Sequence, residues 1–396
     1  MLLGVTGGIA AYKSIQLARD LTGLGAAVDV VMTSAAREFV SALSFAALTG
    51  RPVHGDLWSP GEGMTHIRLA READVVCIAP ATADLLARAA AGRADDLLTA
   101  ILLATRAPVL LAPAMNDRMW SHPQTRRNAA HLGDVLGYRL VGPATGPLAF
   151  DEGEGPGRME EPATLVEHIG RALGENRLLR GRRIVVTAGP TREPVDAVRV
   201  LSNRSSGRMG FALAAAAWRR GAEVTLIAGP ATLAPPPGPQ LVDVETAQEM
   251  ADAVRTHLAG AAALIMAAAV ADFRPAQVAA HKLKKAGMPA QIALEPAPDV
   301  LLETRAARDP GCMVVGFALE TEDLLENGRA KLERKGLDLI VLNAANEPGS
   351  GFDVATNRVS LLDAKGGLET LPLLSKDEVA ERVLDRVVTH FAGPND

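Results

Sequence analysis

Short runs of Val, Ile and Leu recur along the chain, each followed by an Ala-rich stretch in which apolar positions return at helical spacing. That alternation marks parallel strands buried on both faces and covered by helices. Over the first half it predicts strands at Leu2–Thr6, Ala27–Met32, Asp74–Ala79 and Pro108–Ala112. Helices fall between them at Ala10–Leu24, Thr82–Ala91 and Asp95–Ala104, the last opened by two acids that suit a helix N-terminus. From Gly142 to Gly157, glycine, proline and acidic residues interleave, a composition that predicts no regular element. The segment is long for a connection, and loops of that length are often lids. A helix at Glu161–Leu173 ends this half, and polar GENRLLRGRR reads as a linker with the boundary near Arg177.

The same pattern then starts afresh. It predicts strands at Arg183–Ala188, Glu223–Ala228, Ala263–Ala268, Met313–Phe317 and Asp338–Leu342. Helices follow at Arg208–Arg220, Ala247–Leu258, Asp323–Lys335 and Ser375–Phe391, with proline-rich ATLAPPPGPQ as a surface connection. The expected fold is α/β, two doubly wound parallel-sheet domains over residues 1–176 and 177–396. A chain of 396 residues agrees, being too long for one ordinary core.

Charge and composition remove several function classes. A net charge of −5 with 3% aromatic residues offers neither a basic track for phosphates nor stacking platforms for bases, so nucleic acid is not an expected partner. The longest apolar stretch, Ala261 to Ala271, is short of the roughly 20 residues that span a bilayer. No basic segment precedes Gly7, which argues against a signal peptide and for the cytoplasm. Cys77 and Cys312 each sit in an apolar run, where a cysteine reads as a small buried hydrophobe rather than half of a redox pair.

Glycine-rich turns between strand and helix occur twice, at Gly7-Gly8 and at Gly189-Pro190. Each reads as an anion cradle: without a Cβ the backbone comes close to a phosphate, and unpaired N–H groups with the helix dipole supply positive potential. The dinucleotide fingerprint GxGxxG is absent. Thr33 and Ser34 follow the second strand, and Ala81-Thr82 the next, at the carboxyl ends where doubly wound sheets bind ligands. Small and hydroxyl residues at three such ends point to a mononucleotide cofactor. His66, in GEGMTHIRLA, offers an imidazole that accepts a proton near neutral pH, or it is an ordinary exposed histidine. Two readings of Asn116, in PAMNDRMW, also stand: a cap for the next helix, or an amide donor to a substrate carboxylate.

Taken together, GGIAAYK, MTHIRLA, APATADLLARAAAGRADDLL and PAMNDRMW resemble the flavin-dependent half of the bacterial bifunctional phosphopantothenoylcysteine decarboxylase/phosphopantothenate–cysteine ligases. TAGPTREPVDAVR, SNRSSGRMG, AAAVADFRP and KLKK resemble the ligase half. For the N-terminal domain the resemblance implies a flavodoxin-like FMN protein that decarboxylates 4′-phosphopantothenoylcysteine by way of a thioaldehyde. It places the cofactor against Gly7, Gly8, Ile9, Thr33, Ser34, Ala81, Thr82 and Met115, with His66 and Asn116 catalytic. Many members carry a proton-donating cysteine in the substrate-covering loop, whereas here that loop reads GPLAFDEGEGPGRM. Asp151 is the expected replacement acid, a water the alternative.

For a Rossmann-like C-terminal domain the resemblance implies Mg²⁺-dependent ligation of cysteine to 4′-phosphopantothenate through an acyl-cytidylate made from CTP. Asn203 and Lys282 take catalytic positions, Lys282 within a cluster with Lys284 and Lys285 that otherwise reads as a solvated face. Gly189, Asp272, Phe273, Lys282, Asp299, Val300, Leu301, Leu302, Phe317, Lys331 and Lys335 fall where the family binds CTP. Asp272 holds either Mg²⁺ or a nucleotide hydroxyl. The resemblance also implies homo-oligomers, trimers through one domain and dimers through the other, up to a dodecamer. Three competing expectations remain at this point: ligase activity alone, a nicotinamide-dependent reductase, and a non-catalytic nucleotide sensor.

Overall fold

The computed structural model describes residues 1–58, 64–149, 153–174, 178–284, 291–320, 323–344 and 354–392. Its internal contacts divide the chain into two units, Met1–Glu175 and Asn176–Asp396.

In the N-terminal unit the strands are β1 (Leu2–Val5), β2 (Asp29–Met32), β3 (Val53–His54), β4 (Val76–Ala81), β5 (Val109–Pro113) and β6 (Arg139–Leu140). They form one sheet in the order β3-β2-β1-β4-β5-β6, every pair parallel. Setting aside the two-residue edge strand β3, the order by rank is 2-1-3-4-5, the flavodoxin-like arrangement, and it reverses between β1 and β4. Helices α1 (Ala11–Gly23), α2 (Ala42–Thr49), α3 (Thr65–Glu72), α4 (Ala83–Ala90), α5 (Leu97–Ala104), α6 (Asp117–Ser121), α7 (Pro123–Asp134) and α8 (Pro162–Leu173) cover the two faces. Leu17 and Leu21 of α1 pack with Leu165 and Ile169 of α8 on one side; Leu85, Leu98, Ile101 and Leu132 pack on the other. The helix starts follow capping chemistry. Thr82 caps α4 through Leu85 N, and Asp96 forms a capping box with Thr99, so the acids of the expected Asp95–Ala104 helix stand ahead of it rather than inside it.

The segment from Gly142 to Gly157 is a correction. It contains a hairpin, β7 (Ala144–Pro147) paired antiparallel with β8 (Glu154–Arg158), with a register shift after Ala144. Glycine and proline hide the apolar alternation by which a strand is recognised, but backbone pairing does not require it.

The C-terminal unit has strands β9 (Arg183–Ala188), β10 (Arg192–Pro194), β11 (Val200–Ser202), β12 (Glu223–Ala228), β13 (Gln240–Asp243), β14 (Ala261–Met266), β15 (Phe273–Pro275), β16 (Leu294–Pro296), β17 (Met313–Glu320), β18 (Leu339–Ala344), β19 (Thr356–Asn357), β20 (Val359–Asp363) and β21 (Leu368–Thr370). The main sheet runs β13-β12-β9-β14-β17-β18-β20-β21. Its first six strands are parallel in the Rossmann order, reversing between β9 and β14. The antiparallel edge pair β20–β21 departs from the all-parallel expectation: β20 runs antiparallel to β18, and β21 antiparallel to β20. Helices α9 (Arg208–Arg219) and α13 (Lys376–Ala392) lie on one face, α10 (Ala247–His257), α11 (Val300–Glu303) and α12 (Leu324–Lys335) on the other. Among the described residues no helix is long and apolar enough to cross a membrane.

Candidate active sites

In the N-terminal unit, the carboxyl ends of β1, β2 and β4 are drawn together by small side chains. Thr6 Oγ1 donates to Pro80 O at 2.7 Å and accepts from Thr82 N at 3.3 Å. A Cβ on Gly7 would lie 2.4 Å from Ala35 Cβ, so this glycine admits the turn after β2 rather than a ligand. Gly8 is the open position: its Cβ would meet nothing nearer than Thr82 Cγ2 at 3.7 Å. Just beyond, α1 begins without a capping side chain, and Ile9 is 64% exposed. Backbone N–H groups at an uncapped helix start, next to a glycine with free space, are the kind of donors that anions use. Thr33 is buried and its hydroxyl caps Ala36 N at 3.2 Å, while Ser34 is exposed at the same turn. Ala81 is buried in the strand end.

His66 is the second residue of α3 and half-buried, with a buried Nδ1 that has no hydrogen-bond partner among the described residues. Asn116 takes the first of its two sequence readings, a helix cap. Its Oδ1 caps α6 by accepting from Arg118 N at 2.9 Å, leaving the amide NH₂ to donate elsewhere. The β7–β8 hairpin sits on this loop: Met115 N donates to Gly157 O at 2.9 Å, and a Cβ on Gly157 would lie 2.2 Å from Met115 O. Asp151, with Phe150, lies outside the described residues.

In the C-terminal unit the Gly189 turn is not an open cradle, which corrects the sequence reading. Gly189 has φ 76° and is buried; its Cβ would lie 2.7 Å from Gly229 O, and a Cβ on Gly229 would lie 1.9 Å from Pro190 O. Ala269 N closes the turn from the other side by donating to Gly189 O at 2.9 Å. The glycine serves backbone-to-backbone packing. An uncapped helix start lies instead at α9, where Gly207, φ 78°, is the cap residue without a side-chain bond. Helix α9 lies tight on β9, since a Cβ on Gly210 would meet Thr187 O at 2.8 Å.

That helix start opens on a cavity of about 530 Å³ at the point where the strand order reverses. Of the expected residues, Asn203, Asp272, Asp299, Val300, Leu301, Phe317, Lys331 and Lys335 line it. Gly189, Phe273, Leu302 and Lys282 do not: the first is packed under Gly229, and the others are exposed on β15, α11 and the segment before residue 285. Lys285 lies outside the described residues. Lys335 Nζ pairs with Asp299 at 3.1 Å and Lys331 Nζ donates to Phe317 O at 2.9 Å, so one face of α12 brings two ammonium groups to the wall. Asn203 Nδ2 donates to Ala269 O and Val270 O at 3.1 and 3.2 Å, fixing its amide against the loop after β14. No group of three or more metal-ligating side chains occurs among the described residues; Asp272 lines the cavity together with Asp299, which pairs with Lys335.

Among the lining positions that sequence reading missed are Asn343 at the end of β18, Asn357 on β19 and Lys376 at the start of α13, all buried. Asn343 and Asn357 each keep a buried Oδ1 without a partner among the described residues. A polar residue ending an apolar run, as in VLNA, was the available signal. Asp196 was also missed. Its buried carboxylate accepts from Val198 N, Arg199 N, Arg199 Nε and Leu283 N at 2.8–3.1 Å, pinning the segment that carries Lys282 and Lys284. Hydrogen bonding from the Arg199 guanidinium, aided by those backbone donors, holds it far below the usual carboxylate range.

Two family models match the chain: Flavoprotein over residues 1–174, and the DNA/pantothenate metabolism flavoprotein C-terminal domain over residues 179–391. The chain is 48% identical to the coenzyme A biosynthesis bifunctional protein CoaBC of Mycobacterium tuberculosis, with 99% of this chain and 97% of the relative covered. Its likeness to the proteins of the same name from Vibrio cholerae and Mycolicibacterium smegmatis is 46% and 48%, over 97% and 98% of this chain and 96% of each relative.

Proposed function

The chain belongs to the bifunctional CoaBC family of coenzyme A biosynthesis, and from that premise we propose how its residues divide the two reactions. It is a phosphopantothenoylcysteine decarboxylase of the flavoprotein type and a phosphopantothenate–cysteine ligase. The reductase and sensor alternatives fall with that match.

The N-terminal unit takes the decarboxylation. Gly8, Ile9 and the uncapped start of α1 fit the phosphate and ribityl end of FMN, with Thr82 and Ser34 at the adjoining strand ends. Bound FMN supplies the redox chemistry that the substrate needs, because a cysteine carboxylate has no carbonyl β to the departing CO₂. Asn116 donates its free amide to that carboxylate, and His66, whose buried Nδ1 has no partner among the described residues, exchanges a proton with the substrate. Asp151 supplies the final proton; Asp151→Asn then releases CO₂ without yielding 4′-phosphopantetheine, and an unchanged yield of that product assigns the proton to water.

The C-terminal unit takes the ligation. The carboxylate of 4′-phosphopantothenate attacks the α-phosphate of CTP and pyrophosphate leaves; the amine of cysteine then attacks the acyl carbon and CMP leaves. The start of α9, Lys331 and Lys335 receive phosphate charge, Asn203 orients the acyl-cytidylate, and Lys282 reaches in from the segment pinned by Asp196. Asp272 would hold Mg²⁺, which would supply positive charge against that of the phosphates. The observation that carries this reading is the polar cavity at the strand-order reversal of the second sheet, with two lysines facing an open helix start. The test compares CTP with ATP under Mg²⁺, phosphopantothenate and cysteine. CMP and pyrophosphate from CTP in large preference are expected; equal use of ATP, or no CMP, contradicts the assignment.

The protein works in the cytoplasm as a homo-oligomer in this reading. Exposed Ile9 and Tyr12 in one unit and Val198, Val200 and Phe273 in the other support contacts through both. A mass measurement in solution that returns monomers contradicts it.

A further inference from the structure

Lys13 lies on the buried face of α1, one turn past the Gly7-Gly8 turn, and is 5% exposed. Its ammonium donates to Met159 O at 2.9 Å and to Glu161 Oε1 at 3.0 Å. Arg158 Nη2 donates to the same Oε1 at 2.6 Å. These partners lie about 150 residues away, at the end of β8 and at the residue before α8. The start of the hairpin is held against the same place: Gly142, φ 87°, would put a Cβ 2.8 Å from Glu160 Cγ. Farther along, the hairpin rests on Met115 and Asp117, where a Cβ on Gly155 would lie 2.9 Å from Asp117 Cβ.

A buried ammonium is a poor way to stabilise a fold. Its desolvation is offset only by good pairing, and a methionine of similar volume packs there without that cost. What the pair does supply is direction. Two donors and one carboxylate admit a single register between α1 and the exit of the hairpin, and an apolar contact does not. The Lys13 hydrogen bond also holds the Glu161 carboxyl below its ordinary range, so the clasp stays charged.

We propose that Lys13 is a positioning residue for decarboxylation: with Glu161 and Arg158 it sets the β7–β8 hairpin in register between the glycine turn after β1 and the Asn116 loop. The proposal rests on the reading that this hairpin covers the substrate. Lys13 touches neither substrate nor flavin in this role.

The test uses the full chain with Lys13→Met, Lys13→Arg, Glu161→Gln and the double variant Lys13→Met/Glu161→Gln. Hydrogen exchange is followed at the amides of residues 144–149 and 153–158, and KM and kcat for phosphopantothenoylcysteine are measured beside flavin content and CMP release. In Lys13→Met, hairpin exchange is expected to quicken and KM to rise, each by about tenfold, the scale of one charge-assisted hydrogen bond. Flavin content and CMP release stay unchanged. Lys13→Arg recovers part of the loss, and the double variant is worse than Lys13→Met by no more than the small share of the exposed Arg158–Glu161 pair, because both changes remove the Lys13–Glu161 interaction. Exchange and KM within twofold of wild type overturn the proposal, as does loss of flavin together with activity, which makes Lys13 a support of α1 alone. Should Lys13→Met not fold, Glu161→Gln carries the same comparison from a half-exposed position. If the wild-type chain releases no CO₂, the decarboxylase reading fails while the exchange result still decides the clasp.

Discussion

Replacing Gly157 by alanine strikes the seat of the hairpin with a single methyl group. Its Cβ would stand 2.2 Å from Met115 O, so the strand must retreat by about 1 Å to reach ordinary contact. The Met115 N to Gly157 O hydrogen bond, 2.9 Å long, does not survive a retreat of that size. Overpacking costs about 1–3 kcal/mol and the lost bond about 1 more, all of it charged to the seating of the hairpin. A misplacement of ~1 Å near the reacting groups lowers turnover by about 10²-fold. The expected result is therefore a fall in kcat/KM for phosphopantothenoylcysteine of about that size with CMP release intact. Gly146→Ala is the control on the same hairpin, because its Cβ would meet only the side chain of Arg158 at 3.4 Å. Equal decarboxylation by the two variants would refute the reasoning.

Gly229→Ala places a Cβ 1.9 Å from Pro190 O and is expected to lower ligation sharply while decarboxylation of supplied phosphopantothenoylcysteine continues; the unfolding midpoint of the C-terminal unit drops by about 2–4 °C per kcal/mol of strain, and unchanged CMP release contradicts it. Lys335→Met removes a cation from the cavity and leaves Asp299 unpaired, so the KM for CTP should rise by roughly tenfold or more, and a value within twofold of wild type counts against phosphate binding there. Burial opposes the charged form of Asp96, but hydrogen bonds from Arg88 and Thr99 outweigh it and hold the carboxyl below its ordinary 3.8. Its stabilisation is thus present above that value and lost as pH falls through the folded one, so the gap in unfolding midpoint between wild type and Asp96→Asn should shrink from pH ~6 to pH ~3; a constant gap rejects the pairing.

The parallel strands were legible because strands such as Val76–Ala81 and Ala261–Met266 are buried on both faces and so read as unbroken apolar runs. Glycine was less transparent. Gly8 is the open position its motif suggests, whereas Gly189 with the same local signal is filled by Gly229 from 40 residues away. A missing Cβ declares only that something comes close. Whether a ligand or another strand fills the space depends on tertiary packing. The cavity of the second unit shows the same limit. Lys331 and Lys335 share one helix face and were readable together, but Asn343, Asn357 and Lys376 reach the wall from three separate elements, β18, β19 and α13. Lys13 was hidden for a related reason. Within an amphipathic helix it reads as one more polar position, and only the return of the chain at Met159–Glu161 makes it a buried charge.

The central claim is that one polypeptide holds two separable sites acting in sequence, and paired single-site variants address it most directly. Each variant is given phosphopantothenate, cysteine, CTP and Mg²⁺, with CMP and CO₂ measured together, and CO₂ is measured again with phosphopantothenoylcysteine supplied. His66→Asn should release CMP without CO₂, while Lys282→Gln should release neither from phosphopantothenate yet still release CO₂ from phosphopantothenoylcysteine. Loss of both products in both variants under every condition, or full activity in either one, contradicts the account.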